Sequence, residues 1–128
     1  MTLATLDTGA WIALERRKPR ATSLLRAATE RGVALVSITP VLAEWWRGAT
    51  DQRLQLLRAI RVVPFPARVA RAAGEAMTQL GGGASLSIDA MVVAFAAMEG
   101  GQVVYTSDVD DLSRIATTCF PSVRVLGI

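Results

Sequence analysis

Two aspartates follow apolar runs that are typical of β-strands. Asp7 comes directly after residues 3–6, and Asp108 comes shortly after residues 103–106. Open parallel sheets bind their ligands outside the carboxyl ends of the strands, so these carboxylates are candidates for one cleft. Each also has a structural explanation, because aspartate is a good N-cap for a helix that follows a strand.

Further acids accompany this pair. Glu44 lies in the first turns of a predicted helix after the second strand, and Asp89 lies in the first turn of a helix whose next nine residues are apolar. The neighbours of Glu44 within residues 41–46 are all apolar, so a buried, unpaired carboxylate there would be costly. The alternatives are that Glu44 points to water, that Asp89 interacts with the helix dipole, and that Asp110 and Asp111 are solvated first-turn acids.

The residue types limit the chemistry. The sequence has no histidine and one lysine, Lys18, so hydrolysis must rely on carboxylates, hydroxyls, this lysine or a metal ion. Converging carboxylates repel one another, which raises their pKa values unless a cation is bound. Carboxylate oxygens suit Mg²⁺ or Mn²⁺, and such ions support phosphodiester hydrolysis. Thirteen of the fourteen basic residues are arginine and the net charge is +3, which favours nucleic acid or an acidic protein as partner; arginines at the rim would contact phosphates.

Length and composition predict one compact domain, residues 1–128. Hydrophobic residues make up 52% of the chain and charged residues 20%, which is typical of a well-buried fold. The longest apolar run, residues 90–98, is shorter than the roughly 20 residues of a membrane span. The N-terminal residues do not resemble a signal peptide. The single cysteine, Cys119, is interpreted as a small buried hydrophobe, and we expect a cytoplasmic protein without a membrane segment.

The elements that position the acids alternate along the chain. Strands are predicted at residues 3–6, 33–38, 60–63, 102–106 and 123–126, and helices at residues 10–16, 21–31, 40–46, 51–59, 66–80, 88–98 and 108–115. Thr39, Asp51 and Ser87 are the predicted N-caps of three of these helices. The alternation predicts an α/β fold, a three-layer α/β/α sandwich with a mainly parallel central sheet of about five strands.

Four segments resemble the motifs of the PIN-domain ribonucleases, and specifically of the VapC-type toxins of bacterial VapBC toxin–antitoxin pairs. In chain order they are LDTGA at residues 6–10, SITPVLAE at 37–44 with Arg47-Gly48 after it, SIDAMVVA at 87–94, and YTSDVDDL at 105–112. Each motif alone is weak, but four in this order across the chain form a specific signal. The Trp45-Trp46 pair is bulkier than the family usually places there.

The resemblance implies an α/β/α sandwich, Mg²⁺- or Mn²⁺-dependent endonuclease activity on RNA, a homodimer, and a cognate antitoxin that blocks the active site. Carried over by position, it implies that Asp7 and Asp89 are the most direct metal ligands. Glu44 and Asp108 would complete the acidic cluster as further ligands.

Other residues of the same motifs would support these acids. The resemblance implies that Thr8, Thr106 or Ser107 orients acids or water. It leaves open which acid joins Asp108 in the catalytic set; Asp110 is favoured over Asp111.

For the antitoxin, we expect one basic side chain in the acidic cleft and apolar contacts to an exposed tryptophan, such as Trp45 or Trp46. Three other acids, Glu15, Glu30 and Glu75, are predicted to lie on outward helix faces and to contribute little.

Other classes of protein are less consistent with the sequence. A catalytically silent PIN-like module that only binds RNA or a protein is the main alternative, but all four expected acids are present. A haloacid-dehalogenase-type phosphatase would need a second acid two residues after Asp7, where Gly9 stands. A receiver domain would need a lysine at a late strand exit, and the one lysine is Lys18.

Overall fold

The computed structural model describes residues 2–128, and its centre is a five-stranded sheet. In chain order the strands are β1 (Thr2–Leu6), β2 (Val33–Ile38), β3 (Arg61–Val63), β4 (Val103–Thr106) and β5 (Arg124–Gly127). Every neighbouring pair is parallel. The predicted α/β fold with five strands is confirmed, and the sheet is entirely parallel.

Seven α-helices lie within the described residues. They are α1 (Thr8–Glu15), α2 (Pro19–Arg31), α3 (Thr39–Trp45), α4 (Asp51–Ala59), α5 (Ala67–Leu80), α6 (Ser87–Met98) and α7 (Val109–Cys119). Helix α1 packs against α2, α3 and α4 and contacts β1 and β4, whereas α6 packs against α5 and α7 and contacts β1, β2 and β4. These two groups form the helical layers of the sandwich.

The strand order places a candidate binding crevice between β1 and β4. Across the sheet the order is β3-β2-β1-β4-β5, so the chain builds outward from β1 on one side and then returns to the other side of β1. The order therefore reverses between β1 and β4. In parallel sheets this reversal leaves a crevice at the carboxyl ends of the two strands. Asp7 and Asp108 follow those two strands.

The interior explains why α6 is apolar on all sides. Its buried residues are Ala90 and the continuous run 92–96, so the helix lies in the core rather than across its surface. This position fixes the first turn of α6, which carries Asp89. Within residues 2–128 no helix combines the length and hydrophobicity needed to cross a membrane. Cys119, predicted to be buried, is only partly buried at the end of α7.

Three predicted helix caps are wrong. Thr39 lies inside α3, and its hydroxyl oxygen accepts a hydrogen bond from the backbone after β3 instead. Thr50 caps α4 in place of Asp51, through a backbone N–H bond to its hydroxyl oxygen. Ser87 lies inside α6, because a 3-10 turn over Ala84–Leu86 leads directly into that helix.

Candidate active site

Asp7 lies at the centre of the crevice and is only 5% exposed. Its Oδ1 accepts a hydrogen bond of 2.8 Å from the backbone N–H of Ala10, which makes it the N-cap of α1. Its Oδ2 accepts a hydrogen bond of 2.5 Å from the hydroxyl of Thr106. Burial raises the pKa of Asp7, the two hydrogen bonds oppose that rise, and the charges of Asp108 and Glu44 add to it. Asp7 is therefore both a helix cap and a member of an acidic cluster.

Thr106 connects the ends of the two central strands. It is fully buried at the last position of β4. Its hydroxyl donates to Asp7 and accepts a hydrogen bond of 2.8 Å from the backbone N–H of Asp108. Asp108 is the N-cap of α7 and is exposed, with its Oδ1 3.5 Å from the backbone nitrogen of Asp111. One hydroxyl thus orients a buried carboxylate and positions the turn that carries an exposed one.

Glu44 enters the crevice from α3. The side chain is exposed, and its Oε1 accepts a hydrogen bond from the hydroxyl of Thr8, the first residue of α1. Thr8 follows Asp7 directly, so this bond joins the exit of β1 to α3. The sequence offered Thr8 as one of three residues that could orient acids or water, and the structure gives it Glu44 as its partner.

Asp89 provides the evidence that the acids converge. Its pKa is raised from 3.8 to about 6, first by burial and then by the charges of Asp7, Asp108, Asp111 and Glu44. Those four acids come from the exit of β1, the turn before α7, the first turn of α7, and α3. Carboxylates raise one another's pKa only when they lie close together. Four separate parts of the chain therefore place negative charge around Asp89.

Asp110 and Asp111 differ in their relation to Asp89. Asp111 is among the charges that raise the pKa of Asp89, and Asp110 is not. Asp110 and Asp111 are both exposed in the first turn of α7. Consecutive helical residues point about 100° apart, so only one of them can face the crevice. The pattern of adjacent acids carried no signal for which one does.

The donor chemistry of this cluster fits a hard divalent cation, because all its candidate ligands are carboxylate oxygens. Within residues 2–128, however, no three acidic or cysteine side chains stand close enough together to enclose a metal ion. The side chains of Glu44, Asp108 and Asp111 are exposed, and exposed side chains change rotamer within picoseconds to nanoseconds.

Close approach of two turns completes the crevice. A Cβ atom added to Gly9 would lie 2.2 Å from the Oγ of Ser107, so the first turn of α1 and the turn after β4 are in contact there. Sequence analysis placed Gly9 in the LDTGA motif and noted that a phosphatase would need an acid at this position. Its role here is to let the two strand exits approach each other.

A second group of polar contacts joins α3 to α1 and α4, and sequence analysis missed it. Glu15 accepts a hydrogen bond of 2.9 Å from the Nε1–H of Trp45 and forms a 3.0 Å ion pair with Arg53. The prediction that Glu15 lies on an outward face with little role is therefore wrong. So is the expectation that Trp45 is exposed, since it is 4% exposed and its ring centroid lies 4.5 Å from that of Trp11. Trp46 is partly buried.

Comparisons with known proteins agree with this architecture. A family model described as PIN domain matches residues 4–117. A search of functionally characterised protein sequences gave no match.

Among solved structures, DNA-bound VapBC from Salmonella typhimurium matches with a TM-score of 0.71 and 18% identity, over 99% of this chain and 98% of the other. VapBC2 from Rickettsia felis, bound to a DNA fragment from its promoter, matches with a TM-score of 0.70 and 18% identity, over 98% of both chains. VapC20 from Mycobacterium tuberculosis, described as a Sarcin-Ricin loop cleaving toxin, matches with a TM-score of 0.64 and 21% identity, over 87% of this chain and 94% of the other. At these identities the matches show a shared fold.

Proposed function

This chain belongs to the PIN-domain family, and on that premise we propose that it is a metal-dependent endoribonuclease that acts as the toxin of a toxin–antitoxin pair. The observation that carries the proposal is the convergence of acids on Asp89, whose pKa of about 6 reflects burial and four neighbouring carboxylates. Such a cluster is costly without a cation, and carboxylates that bind Mg²⁺ or Mn²⁺ suit phosphodiester hydrolysis.

In this proposal Asp7, Glu44, Asp89 and Asp108 hold Mg²⁺ or Mn²⁺, and Asp111 takes the place that the sequence gave to Asp110. The bound metal would offset phosphate charge, lower the pKa of a water molecule and stabilise the leaving oxygen. The protein's own contribution is orientation. Its hydroxyl groups fix two of the carboxylates, since Thr106 donates to Asp7 and Thr8 donates to Glu44.

RNA as the substrate is supported by the arginine-rich composition and by the description of VapC20 as a Sarcin-Ricin loop cleaving toxin. An antitoxin partner is supported by the similarity of this fold to chains found in VapBC complexes. We further propose a homodimer, as the family resemblance implies, and a cytoplasmic location, as the single cysteine favours. Sedimentation of the purified protein measures its oligomeric state, and a monomer at all concentrations would contradict that part.

The test is an RNA cleavage assay with the purified protein and total cellular RNA in Mg²⁺, in Mn²⁺ and in excess EDTA. The proposal predicts cleavage with either metal and none with EDTA. Cleavage that EDTA leaves unchanged would refute the metal dependence. Absence of cleavage under all conditions would refute the proposed ribonuclease activity.

One observation favours a second candidate function. The acids within residues 2–128 do not enclose a metal ion as they stand, and a catalytically silent PIN-like module that binds RNA or a protein would not need such an enclosure. The same assay separates the two, because the silent module binds labelled RNA or a partner without cutting RNA in any metal.

For the partner, co-expression with the product of the neighbouring gene tests the plugged-site mechanism, in which a basic antitoxin side chain occupies the acidic cleft. The complex should not cut RNA, and Glu44→Gln should bind the antitoxin more weakly. Full-strength binding that leaves cleavage intact would contradict this mechanism.

A further inference from the structure

A cleft with basic walls adjoins the acidic cluster. It has a volume of about 490 Å³, within the range of pockets that hold a small ligand. Its lining includes two acids, Glu15 and Glu44, together with Arg16, Arg47 and Arg53. A larger cavity of about 590 Å³ between α1, α2 and α4 has no acid in its lining and so does not adjoin the cluster. The 490 Å³ cleft therefore links the proposed reaction site to a set of arginines.

The three arginines of this cleft are not equivalent. Arg53 is neutralised by its ion pair with Glu15, and its Nη1 also donates to the carbonyl oxygen of Gly48. Arg16 and Arg47 form no ion pair within residues 2–128. Both side chains are exposed. The cleft thus presents two cationic groups that form no ion pair with a carboxylate of the described residues.

The hydrogen bonds of these two arginines leave donors available. Arg47 uses Nη1 for the backbone oxygens of Ala43 at 3.3 Å and Trp46 at 2.7 Å. A guanidinium has five N–H donors, so its other nitrogens remain able to bind an anion. Arg16 ends α1 as its C-cap, and its side chain donates no hydrogen bond within residues 2–128. Cations are favoured at helix C-termini, which is the structural explanation for both positions.

We propose that this cleft is a subsite for the RNA backbone, in which Arg16 and Arg47 bind a phosphate next to the phosphodiester that is cut. This inference rests on the proposed ribonuclease function. A strand whose phosphodiester lies at the carboxylates has its next phosphate one nucleotide away, and Glu44 belongs both to those carboxylates and to the lining of the cleft. Guanidinium forks match phosphate oxygens in geometry and charge. An acidic segment of a protein partner is the competing occupant.

The test measures RNA binding in a background that does not cut. Asp7→Asn removes a proposed ligand and keeps a side chain that still caps α1. In this background the double variant Arg16→Gln/Arg47→Gln is compared with Arg61→Gln/Arg124→Gln, which makes the same charge change. Arg61 and Arg124 are exposed at the starts of β3 and β5, the two outer strands of the sheet, and neither lines the 490 Å³ cleft. A labelled single-stranded RNA is titrated at several salt concentrations in buffer with Mg²⁺.

The subsite predicts about tenfold weaker binding for the Arg16/Arg47 pair. The slope of log affinity against log salt should fall in magnitude by about 0.7 for each phosphate of a single strand that the variant no longer neutralises. The Arg61/Arg124 pair should leave the slope unchanged. Arg16→Lys/Arg47→Lys should keep most of the slope and lose part of the affinity, since lysine retains the charge without the fork.

The results that would contradict the subsite can be told apart from one another. Equal effects of the two glutamine pairs, with both proteins folded by circular dichroism, would overturn the subsite and leave the nuclease standing. Unchanged RNA binding with weakened binding of the antitoxin would assign the cleft to the protein partner and overturn the inference. Failure of the wild-type protein to bind or cut any RNA would remove the proposed function, and the subsite with it.

Discussion

The hydroxyl of Thr106 makes the most specific prediction for a single residue. Thr106→Val keeps the shape of the side chain but removes the donor to Asp7 and the acceptor of the Asp108 N–H. The pKa of Asp7 should rise further because a hydrogen bond that favours its charged form is removed. We expect cleavage to fall about 10- to 100-fold, the effect usual for groups that orient metal ligands.

The matched control for that variant is Thr5→Val. Thr5 is equally buried, and its hydroxyl donates to the carbonyl oxygen of Gly100 without contacting an acid. Thr5→Val should lose about 1 kcal/mol of stability because it removes one buried hydrogen bond, and Thr106→Val should lose more because it removes two. Cleavage rates measured at equal folded fractions should fall only for Thr106→Val, and equal rates for the two variants would show that Thr106 has a structural role alone.

The raised pKa of Asp89 predicts a pH dependence of stability in the metal-free protein. Its pKa is about 6 in the folded state against an ordinary value of 3.8, so the folded protein binds this proton more tightly than the unfolded chain does. The contribution of Asp89 to stability is therefore complete below about pH 4 and is lost as the pH rises through about 6. Asp7, whose pKa is also raised, acts in the same direction.

This dependence is measured as a difference between two proteins. In urea unfolding with EDTA, Asp89→Asn should gain stability relative to the wild type as the pH rises from about 4 to 6. Glu75→Gln, at an exposed site on α5, is the control variant measured alongside it. A flat difference for Asp89→Asn would contradict the convergence of acids around this residue.

Sequence reasoning located the acids more successfully than the contacts between them. Asp7 and Asp108 were predictable because a strand exit and a helix N-cap are both local features of the chain. The partnership of Asp111 rather than Asp110 with Asp89 was not, since it depends on how α7 is rotated against α6. Glu15 was misassigned because its partners, Trp45 and Arg53, lie 30 or more residues away.

Among the elements, α3 depends on the contacts of Glu15. Glu15→Ala leaves the buried Nε1–H of Trp45 without its acceptor and Arg53 without its ion pair. A buried donor that loses its partner costs about 1–3 kcal/mol, and we expect a loss of stability of that size in urea unfolding. Glu15→Gln keeps an acceptor for Trp45 and should lose less. Glu75→Ala, an exposed site on α5, is the control and should change stability by less than about 0.5 kcal/mol; a Glu15→Ala protein as stable as this control would refute the role assigned to Glu15.

The order and type of the elements were predictable because strands and helices alternate with clear hydrophobic patterns. The caps were less so. Thr39 and Ser87 have the residue types of N-caps, but both lie inside their helices. Ser87 lies inside α6 because a 3-10 turn leads directly into this helix, and no residue pattern predicted that turn. Register and strand order depend on long-range packing, and the sequence predicted only that the sheet would be mainly parallel.

A bound cation should stabilise the folded protein as a whole. Mg²⁺ or Mn²⁺ would relieve the repulsion among the carboxylates, and a ligand at a hundred times its Kd adds about 2.7 kcal/mol by mass action. The midpoint of thermal unfolding at pH 7 should therefore rise with metal concentration. The rise should be smaller for Asp89→Asn and unchanged for Glu30→Gln, which is exposed on α2. A midpoint that is insensitive to both metals would contradict a metal site in this crevice.

We propose that the acids at the β1–β4 crevice catalyse metal-dependent cleavage of RNA. The most direct measurement is the initial cleavage rate of labelled RNA in Mn²⁺ by the wild type, Asp7→Asn, Asp89→Asn and the exposed-site control Glu75→Gln. We expect wild-type rates for Glu75→Gln and a loss of roughly two or more orders of magnitude for each aspartate variant, with folding intact. Wild-type cleavage by a folded Asp89→Asn protein would contradict the claim.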